Sequence, residues 1–450
     1  MKTRMRELRD KMASGYARNA ERFALGEKRR IGPELEFPVV SVGTGRASSQ
    51  KEIMSVFSEM TKLRGGWELA DDGTSAGKVV DGYEISVGTD MGTGTMEISF
   101  PPVTRLRDAE MHVTRILNEV KPVAGGLGLA VLGYGVQPVS APGNDVMMQK
   151  DRYRMLVKLL GPQVYAHTVT AASQVHMEVG IDELPGAINA LNAASPAVIA
   201  LTANSLVREG ALGKSHDSRV LSWDEATTRD YAVRRIGIPD RMSCFEQYWE
   251  IMMDFAPFMT KRYGEYLMFD VQKTGTMREY IGRGSGTVYS IDGRAIGVSP
   301  EEIDVKMLQG TVWWEARATG YGTVEFRTPS LQPSITDILA VDAMALGLLE
   351  NRDAVIARMK RYTHAQLSDA RRDAAIRGFR GELAGEPLAL VARDMLGIAE
   401  SGLRSIGEDA GYLEPLLERL RDGMSPADRS AEILESKGLR AFLKDIRLRT

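Results

Sequence analysis

Five short segments place polar groups at every second residue, and the spacing gives their carboxylates chemical meaning. In 31–37 (IGPELEF), Glu34 and Glu36 fall on one side of a strand and Leu35 and Phe37 on the other, because successive strand side chains point to opposite faces. The same alternation opposes Glu84 to Tyr83 and Ile85 in 83–86 (YEIS), and Glu97 and Ser99 to Met96, Ile98 and Phe100 in 96–100 (MEISF). It opposes Gln174, His176 and Glu178 to Val175, Met177 and Val179, and Thr323, Glu325 and Arg327 to Val324 and Phe326. The polar positions hold six acids, one histidine and one arginine. Two readings are open. One is a half-buried antiparallel sheet with a wet outer face. The other is a metal-binding face. Like charges opposite one another on neighbouring strands destabilise by roughly 0.2–1 kcal/mol per pair, and a divalent cation relieves that repulsion. Carboxylate oxygens with an occasional imidazole suit Mg²⁺ or Mn²⁺, and the excess of acids favours this second reading.

Magnesium commonly shares its coordination with substrate phosphates, so such a face points to nucleotide chemistry. Arg327, Arg219 and Lys214 are the candidate phosphate partners, together with the loops 88–95 (GTDMGTGT) and 282–287 (GRGSGT). Each loop also reads as a plain hairpin or surface turn. Other motifs fail. The segment 210–215 (GALGKS) ends like a P-loop, but position 208 is Arg where the pattern needs Gly. The segment 282–286 has neither the spacing nor the βαβ setting of a dinucleotide fingerprint. Of the five histidines, only His176 sits in a strand among acids. His112 falls on the polar side of a helix, and His167, His216 and His364 read as surface or core residues.

The elements that must position these residues are mixed irregularly. Up to about residue 335, short alternating strands alternate with a few helices and Gly-rich loops, without a βαβ rhythm; this predicts an α+β fold with a largely antiparallel sheet. Residues 1–30 read as a basic helical lead-in. Leu106, Ala109, Val113, Ile116, Leu117 and Val120 form a helical stripe that Pro122 is expected to stop, and 127–136 (LGLAVLGYGV) reads as a buried strand. From 336 onward the pattern is helical, in 336–362 and then around 387–405, 413–422 and 426–436. The expected organisation is a catalytic α+β region, 1–335, with a helical C-terminal region, 336–450, packed on it. Trp313 and Trp314 are adjacent in a strand pattern, so at most one of them can line a pocket.

Composition narrows the function classes. The chain has 450 residues, which by length alone suggests about three domains. Hydrophobic residues at 43% and charged residues at 26% exclude a disordered chain. With 57 basic and 60 acidic residues the net charge is −3, which argues against a nucleic-acid binder. The single cysteine, Cys244, excludes an intrachain disulfide and a Cys-rich zinc site. Residues 1–30 contain no apolar core of a secretory signal, and no stretch reaches the roughly 18 apolar residues of a membrane span. The expectation is a cytoplasmic protein that engages neither membrane nor nucleic acid, as a monomer or homodimer.

The ordered blocks Gly32-Pro33-Glu34-Leu35-Glu36, Thr95-Met96-Glu97-Ile98-Ser99 with Pro101-Pro102, Gln174-Val175-His176-Met177, Thr202-Ala203-Asn204-Ser205 and Gly322-Thr323-Val324-Glu325-Phe326-Arg327 resemble the glutamate–cysteine ligase superfamily, in particular its bacterial type 2 carboxylate–amine ligase branch. A weaker echo lies at 425–436 (SPADRSAEILES). The resemblance implies a glutamine synthetase-like curved antiparallel sheet, flanked by helices, that binds ATP and Mg²⁺ (or Mn²⁺). It implies Glu34, Glu36, Glu97, His176 and Glu325 as metal and cofactor ligands, with Glu84 beside them. It further implies Arg327, and Arg219 with it, at the phosphate or acyl phosphate. The activity implied is ATP-dependent amide formation between a small-molecule carboxylate, glutamate or a similar amino acid, and an amine such as cysteine. The chain departs from the pattern after Arg327, where Thr328-Pro329-Ser330 lacks the acid that many relatives carry, and in 311–322 (TVWWEARATGYG). Two alternatives keep the acidic face: a metal-dependent phosphotransferase or hydrolase, and a non-catalytic nucleotide- or metal-binding relative.

Overall fold

The computed structural model describes residues 2–449. Its frame is a nine-stranded sheet built from β1 (Ile31–Ser41), β2 (Glu68–Leu69), β3 (Ser75–Val80), β4 (Tyr83–Thr89), β5 (Thr95–Ser99), β6 (Leu129–Val131), β7 (Ser173–Glu178), β8 (Ala316–Ala318) and β9 (Thr323–Phe326). The order is β8-β9-β7-β1-β5-β4-β3-β2, with β6 paired to the far half of β1. Every pairing is antiparallel, so the fold is α+β as the strand pattern requires. β1 is central because it is long enough to pair with β7 through its first half, β6 through its second and β5 between.

The alternation places one face of the sheet in the core. Leu35, Phe37, Ile85, Met96 and Ile98 pack under the helix Leu106–Gly126, while Val175, Met177, Val324 and Phe326 pack under the helix Leu184–Thr202. All nine of these strand residues are fully buried, each side chain stabilising the fold by about 1.5–3 kcal/mol. Among the described residues, Leu184–Thr202 is the one helix long and apolar enough to cross a membrane, and 89% of its apolar window is buried inside the protein.

From residue 335 onward the described residues form six α-helices, Ile335–Glu350, Arg352–Met359, His364–Arg377, Leu388–Ser405, Glu414–Asp422 and Pro426–Asp445. They have no core of their own. Ile338 and Leu339 join the cluster under β1 and β5, and Met344 and Leu348 join the cluster with Leu184–Thr202. Helices Ile335–Glu350 and Leu388–Ser405 cross backbone to backbone: a Cβ on Gly347 would lie 2.2 Å from the Ala399 carbonyl, and one on Gly402 2.0 Å from the Gly347 carbonyl.

Several local expectations are corrected. Pro122 lies inside its helix, which runs on to Gly126; a proline removes one N–H but does not stop a helix whose face is already buried. Asn351 splits 336–362 into two helices. Only Leu129–Val131 of 127–136 is strand, the remainder making single bridges from Leu132 to Arg447 and from Val136 to Thr170. His112 is buried, with Nε2 3.8 Å from Asp81, rather than on a wet helix face.

Candidate active site

Strand register sorts the polar positions into rows. Arg317, Glu325, His176 and Gly32 are direct neighbours across β8, β9, β7 and β1. Gln174, Glu34, Ser99 and Ser86 form the next row, and Glu36, Glu97 and Gly88 the one after. A cavity of about 550 Å³ opens over this face and is lined by Glu34, Glu36, Glu97, His176, Arg219, Glu325 and Arg327. Asp90, Arg152, Lys306, Arg317, Tyr153, His167, Trp223, Trp313 and Tyr321 complete its charged and aromatic lining.

The acids fall into two groups. Glu34, His176 and Glu325 can bring one ligand atom each within 4.8 Å of one another, and so can Glu36, Asp90 and Glu97. His176 Nε2 lies 3.1 Å from Glu34 and Nδ1 3.1 Å from the Thr323 hydroxyl, so the ring is oriented from both sides. The second group carries uncompensated charge. Burial, and then Asp90 beside it, push the Glu36 carboxyl up to about 8 even though Arg219 and Arg327 oppose the shift. Burial raises Asp90, and burial with Glu34, Asp90 and Glu36 raises Glu97 well above the carboxylate range. Buried carboxylates that cannot all ionise together are what a divalent cation would discharge, and an all-oxygen set beside a set with one imidazole fits Mg²⁺ or Mn²⁺.

The first group is held differently. Burial alone would raise Glu325, but Arg317, Arg327 and His176 keep its carboxyl well below the usual range. Arg317 Nε donates to it at 2.6 Å, and Arg327 donates both to it and, at 2.6 Å, to Gln174, which in turn donates to Glu36 at 2.5 Å. Arg219 stands on the helix Ser218–Ala226, capped by Asp217. Its guanidinium donates to the carbonyls of Arg327 (3.0 Å) and Thr328 (3.2 Å). Arg152, on the helix Asp151–Leu160, lines the cavity with no ion-pair partner among the described residues. Asn204 donates to the carbonyls of Gly133 and Leu331, and Ser205 donates to Asp217, so this segment braces the wall from behind.

Aromatic groups close one side. Trp313 lines the cavity while Trp314 is buried in the core, as strand alternation demands. Trp223 stacks on Trp313 with centroids 5.5 Å apart, and His167 stacks on Trp223 at 3.7 Å. Arg327 lies 5.6 Å from the Trp223 ring centre.

Glu84 does not join the other acids. It has the right parity, but it sits four residues along β4 from Gly88, the partner of Glu97. That is roughly 13 Å at the strand rise, and Glu84 is exposed over the edge hairpin with Lys78 and Ser86. Glu178 is neutralised by Arg22 and Arg30. Lys214 is exposed outside the cavity, and 282–287 forms a helix end and a strand of a separate four-stranded sheet. Four charged residues of the cavity were not singled out in the sequence: Asp90, Arg152, Lys306 and Arg317. Asp90 lies in the loop 88–95, whose glycines drew attention instead of its acid. In that loop a Cβ on Gly92 would lie 2.1 Å from the Thr168 carbonyl, so the tight backbone packing fixes the turn beside Asp90.

The family profile of glutamate-cysteine ligase family 2 matches residues 30–441. The chloroplastic glutamate–cysteine ligase of Brassica juncea is 27% identical over 419 residues, covering 90% of this chain and 78% of that protein. That of Arabidopsis thaliana is 26% identical over 419 residues, covering 90% and 76%. Among solved structures, the glutamate–cysteine ligase of Francisella tularensis in complex with AMP covers 93% of this chain and 87% of its own at 12% identity, with a TM-score of 0.49. The family match starts one residue before β1 and ends in the last helix, so every strand and arginine of the cavity lies within it, and the chain belongs to glutamate-cysteine ligase family 2.

Proposed function

We propose that this protein is an ATP-dependent carboxylate–amine ligase that joins glutamate, or a similar amino acid, to cysteine or another amine through an acyl phosphate. The observation that carries the reading is the single cavity in which two three-residue groups of potential metal ligands face arginines already fixed in place. Glu34, His176 and Glu325 would hold one divalent cation and Glu36, Asp90 and Glu97 another. When bound, these ions supply charge neutralisation at the polyphosphate.

The chain's own residues then have defined work. A carboxylate is a poor acyl donor because its leaving group would be oxide. Its oxygen attacks the γ-phosphorus, ADP departs, and the amine nitrogen attacks the resulting acyl carbon while phosphate leaves with the bonding pair and the amine loses a proton. Arg327 and Arg219 meet the charge on the transferring group without rearrangement, since each guanidinium is anchored by protein acceptors. Arg152, lacking a protein partner, is free to bind a substrate carboxylate. The half-buried Trp223 and Trp313 keep water from the acyl phosphate. Both substrates are small molecules, and ATP with a free thiol belongs to a reducing compartment, which supports a cytoplasmic location.

The test is mass spectrometry of protein incubated with ATP, Mg²⁺, glutamate and cysteine, with ADP followed in parallel. A product at the mass of γ-glutamylcysteine is expected. Glutamate-dependent ADP release with a hydroxamate trapped by hydroxylamine would keep the ligase and change the amine. ADP release independent of any carboxylate would refute the reading.

A further inference from the structure

The helix Lys2–Ala24 lies ahead of the residues that the family profile matches, yet it is built onto the turn at one rim of the cavity. Leu8 and Met12 bury its apolar side in the core. Gly15, Tyr16 and Asn19, neighbours on one side of the helix, meet the turn 319–322 that joins β8 to β9. The Tyr16 hydroxyl donates to the Thr319 carbonyl, and Asn19 Nδ2 donates to the Gly322 carbonyl at 2.8 Å. Gly322 has a φ of +80°, and a Cβ there would lie 2.9 Å from the Gly15 carbonyl carbon. Backbone meets backbone, so the turn cannot shift unless the helix moves with it.

The same turn holds His176. Nδ1 lies 3.1 Å from Thr323 Oγ1, which lies 2.7 Å from Thr319 Oγ1, and that second oxygen accepts the Tyr321 N–H at 3.2 Å. On the other side of the ring, Nε2 lies 3.1 Å from Glu34 and belongs to the group with Glu34 and Glu325. A neutral imidazole ligates through the nitrogen without a hydrogen, and the bond made by the other nitrogen decides which one that is. Glu34 alone would draw the hydrogen onto Nε2. Thr323, with its own hydroxyl hydrogen turned to Thr319, accepts from Nδ1 instead and leaves the Nε2 lone pair for a cation.

Resting on the reading of Glu34, His176 and Glu325 as a divalent-cation site, we propose that Tyr16, Asn19, Thr319 and Thr323 are positioning residues for His176, which makes the N-terminal helix part of the support of the metal site. Thr323 and Thr319 fix the imidazole ring and its N–H. Tyr16 and Asn19 hold the turn that carries both threonines. A helix that only covered the core would contribute stability and leave the affinity for the cation untouched.

The experiment titrates Mn²⁺ into the nucleotide-free full chain and follows it by EPR, with electron spin-echo modulation marking the ion that carries an imidazole nitrogen. One such ion is expected in the unmodified protein. Thr323→Val should raise its dissociation constant about tenfold, and Thr323→Ser should restore it. Tyr16→Phe and Asn19→Ala should each raise it about threefold, within the net contribution of one hydrogen bond. The Mn²⁺ without a nitrogen, at Glu36, Asp90 and Glu97, should bind equally in all of them. Both helix variants leave the turn carbonyl a backbone donor, the Gly322 N–H for Thr319 and the Val179 N–H for Gly322, so the chain should still fold. Helix variants that lower the melting temperature but leave the nitrogen-coupled affinity unchanged would overturn the proposal and reduce the helix to a buttress. So would a Thr323→Val protein with unchanged affinity for that ion. If the unmodified protein shows no nitrogen-coupled Mn²⁺ at all, the metal reading fails first and the proposal falls with it. The ligase reading is tested separately, by glutamate-dependent ADP release.

Discussion

Arg371 is the residue through which the C-terminal helices hold the site. It stands on His364–Arg377, and its guanidinium donates to Glu315, just ahead of β8, and at 2.9 Å to Asp224, on the helix that carries Arg219 and Trp223. The side chains of Arg371, Glu315 and Asp224 are 4%, 8% and 10% exposed, so this is a buried triad and not a surface pair. The Glu315 carbonyl also accepts the Arg327 N–H at 2.8 Å, which links the triad to the site. Arg371→Met keeps the apolar stem of the side chain and removes the charge. Asp224 retains Arg372 at 3.0 Å, whereas Glu315 has no other side-chain partner among the described residues, so the cost falls on Glu315. Breaking a buried pair from one side costs about 3–5 kcal/mol; with one acid still partnered, the expected loss is near 3 kcal/mol, read from urea unfolding. Arg371→Met combined with Glu315→Gln should recover at least about 1 kcal/mol of that, because the uncompensated charge is gone. A loss below about 1 kcal/mol for Arg371→Met would refute the reasoning, as would a double variant less stable than the single one.

Four further outcomes are expected. Glu97→Gln replaces a carboxyl that burial and its acidic neighbours hold toward the protonated form, so it should raise metal-free stability at neutral pH, where the unfolded carboxyl ionises, while abolishing carboxylate-dependent ADP release; thermal melts in EDTA and a coupled ADP assay check the opposite signs. Because the folded Glu36 pKa is raised from 4.5 to about 8, the folded metal-free protein binds more protons than the unfolded chain, and its stability should fall as pH rises through that window. Magnesium at about one hundred times its dissociation constant should add about 2.7 kcal/mol and release protons at pH 7, seen by calorimetry in buffers of different ionisation enthalpy. Asp342, on Ile335–Glu350, is fully buried with neither carboxylate oxygen partnered, and burial raises its pKa well above the carboxylate range. Asp342→Ala should therefore stabilise the protein by about 1–3 kcal/mol, the gain growing as pH rises above about 4, where only the unfolded carboxyl ionises.

Period-two alternation carries one bit per residue, the face, and that bit was readable for the six acids of the five alternating segments. It placed Glu34, Glu36, Glu97, His176, Glu325 and Arg327 on a common side before any pairing was known, and β-register then set them in adjacent rows. It carries nothing about distance along the strand, which is why Glu84 shares the parity of Glu97 and lies far from it. Arg317 was within reach of the same logic: Glu315-Ala316-Arg317-Ala318, Gly320 and Gly322, then Val324-Glu325-Phe326 is a hairpin pattern that sets Arg317 opposite Glu325. Arg152 and His167 had no such signal. A helix or 3₁₀ turn shows which of its residues are apolar, not which cavity its occasional polar residue enters, and both reach the site only because the sheet leaves a concave face for Asp151–Leu160 and the turn after it to roof.

The difference between the sheet side of the cavity and the wall opposite follows from what each kind of element can do. A strand can crowd carboxylates at about 5 Å spacing on a rigid plane, because its neighbours fix every residue through backbone hydrogen bonds. That suits ligands whose geometry must not vary, and the rows Glu325–His176 and Glu36–Glu97 use it. The opposite wall is made of a helix, a 3₁₀ turn and the short strand that holds Trp313. Their side chains differ in size from one turn to the next, and they can be exchanged without touching the plane of acids. Exchange of Leu156, Leu160 or Trp313 should therefore leave metal affinity alone, and exchange of the acids on β1, β5 or β9 should lower it. A Trp313 variant that lost Mg²⁺ affinity would show that the two sides are not separable, and the argument from strand rigidity would fail with it.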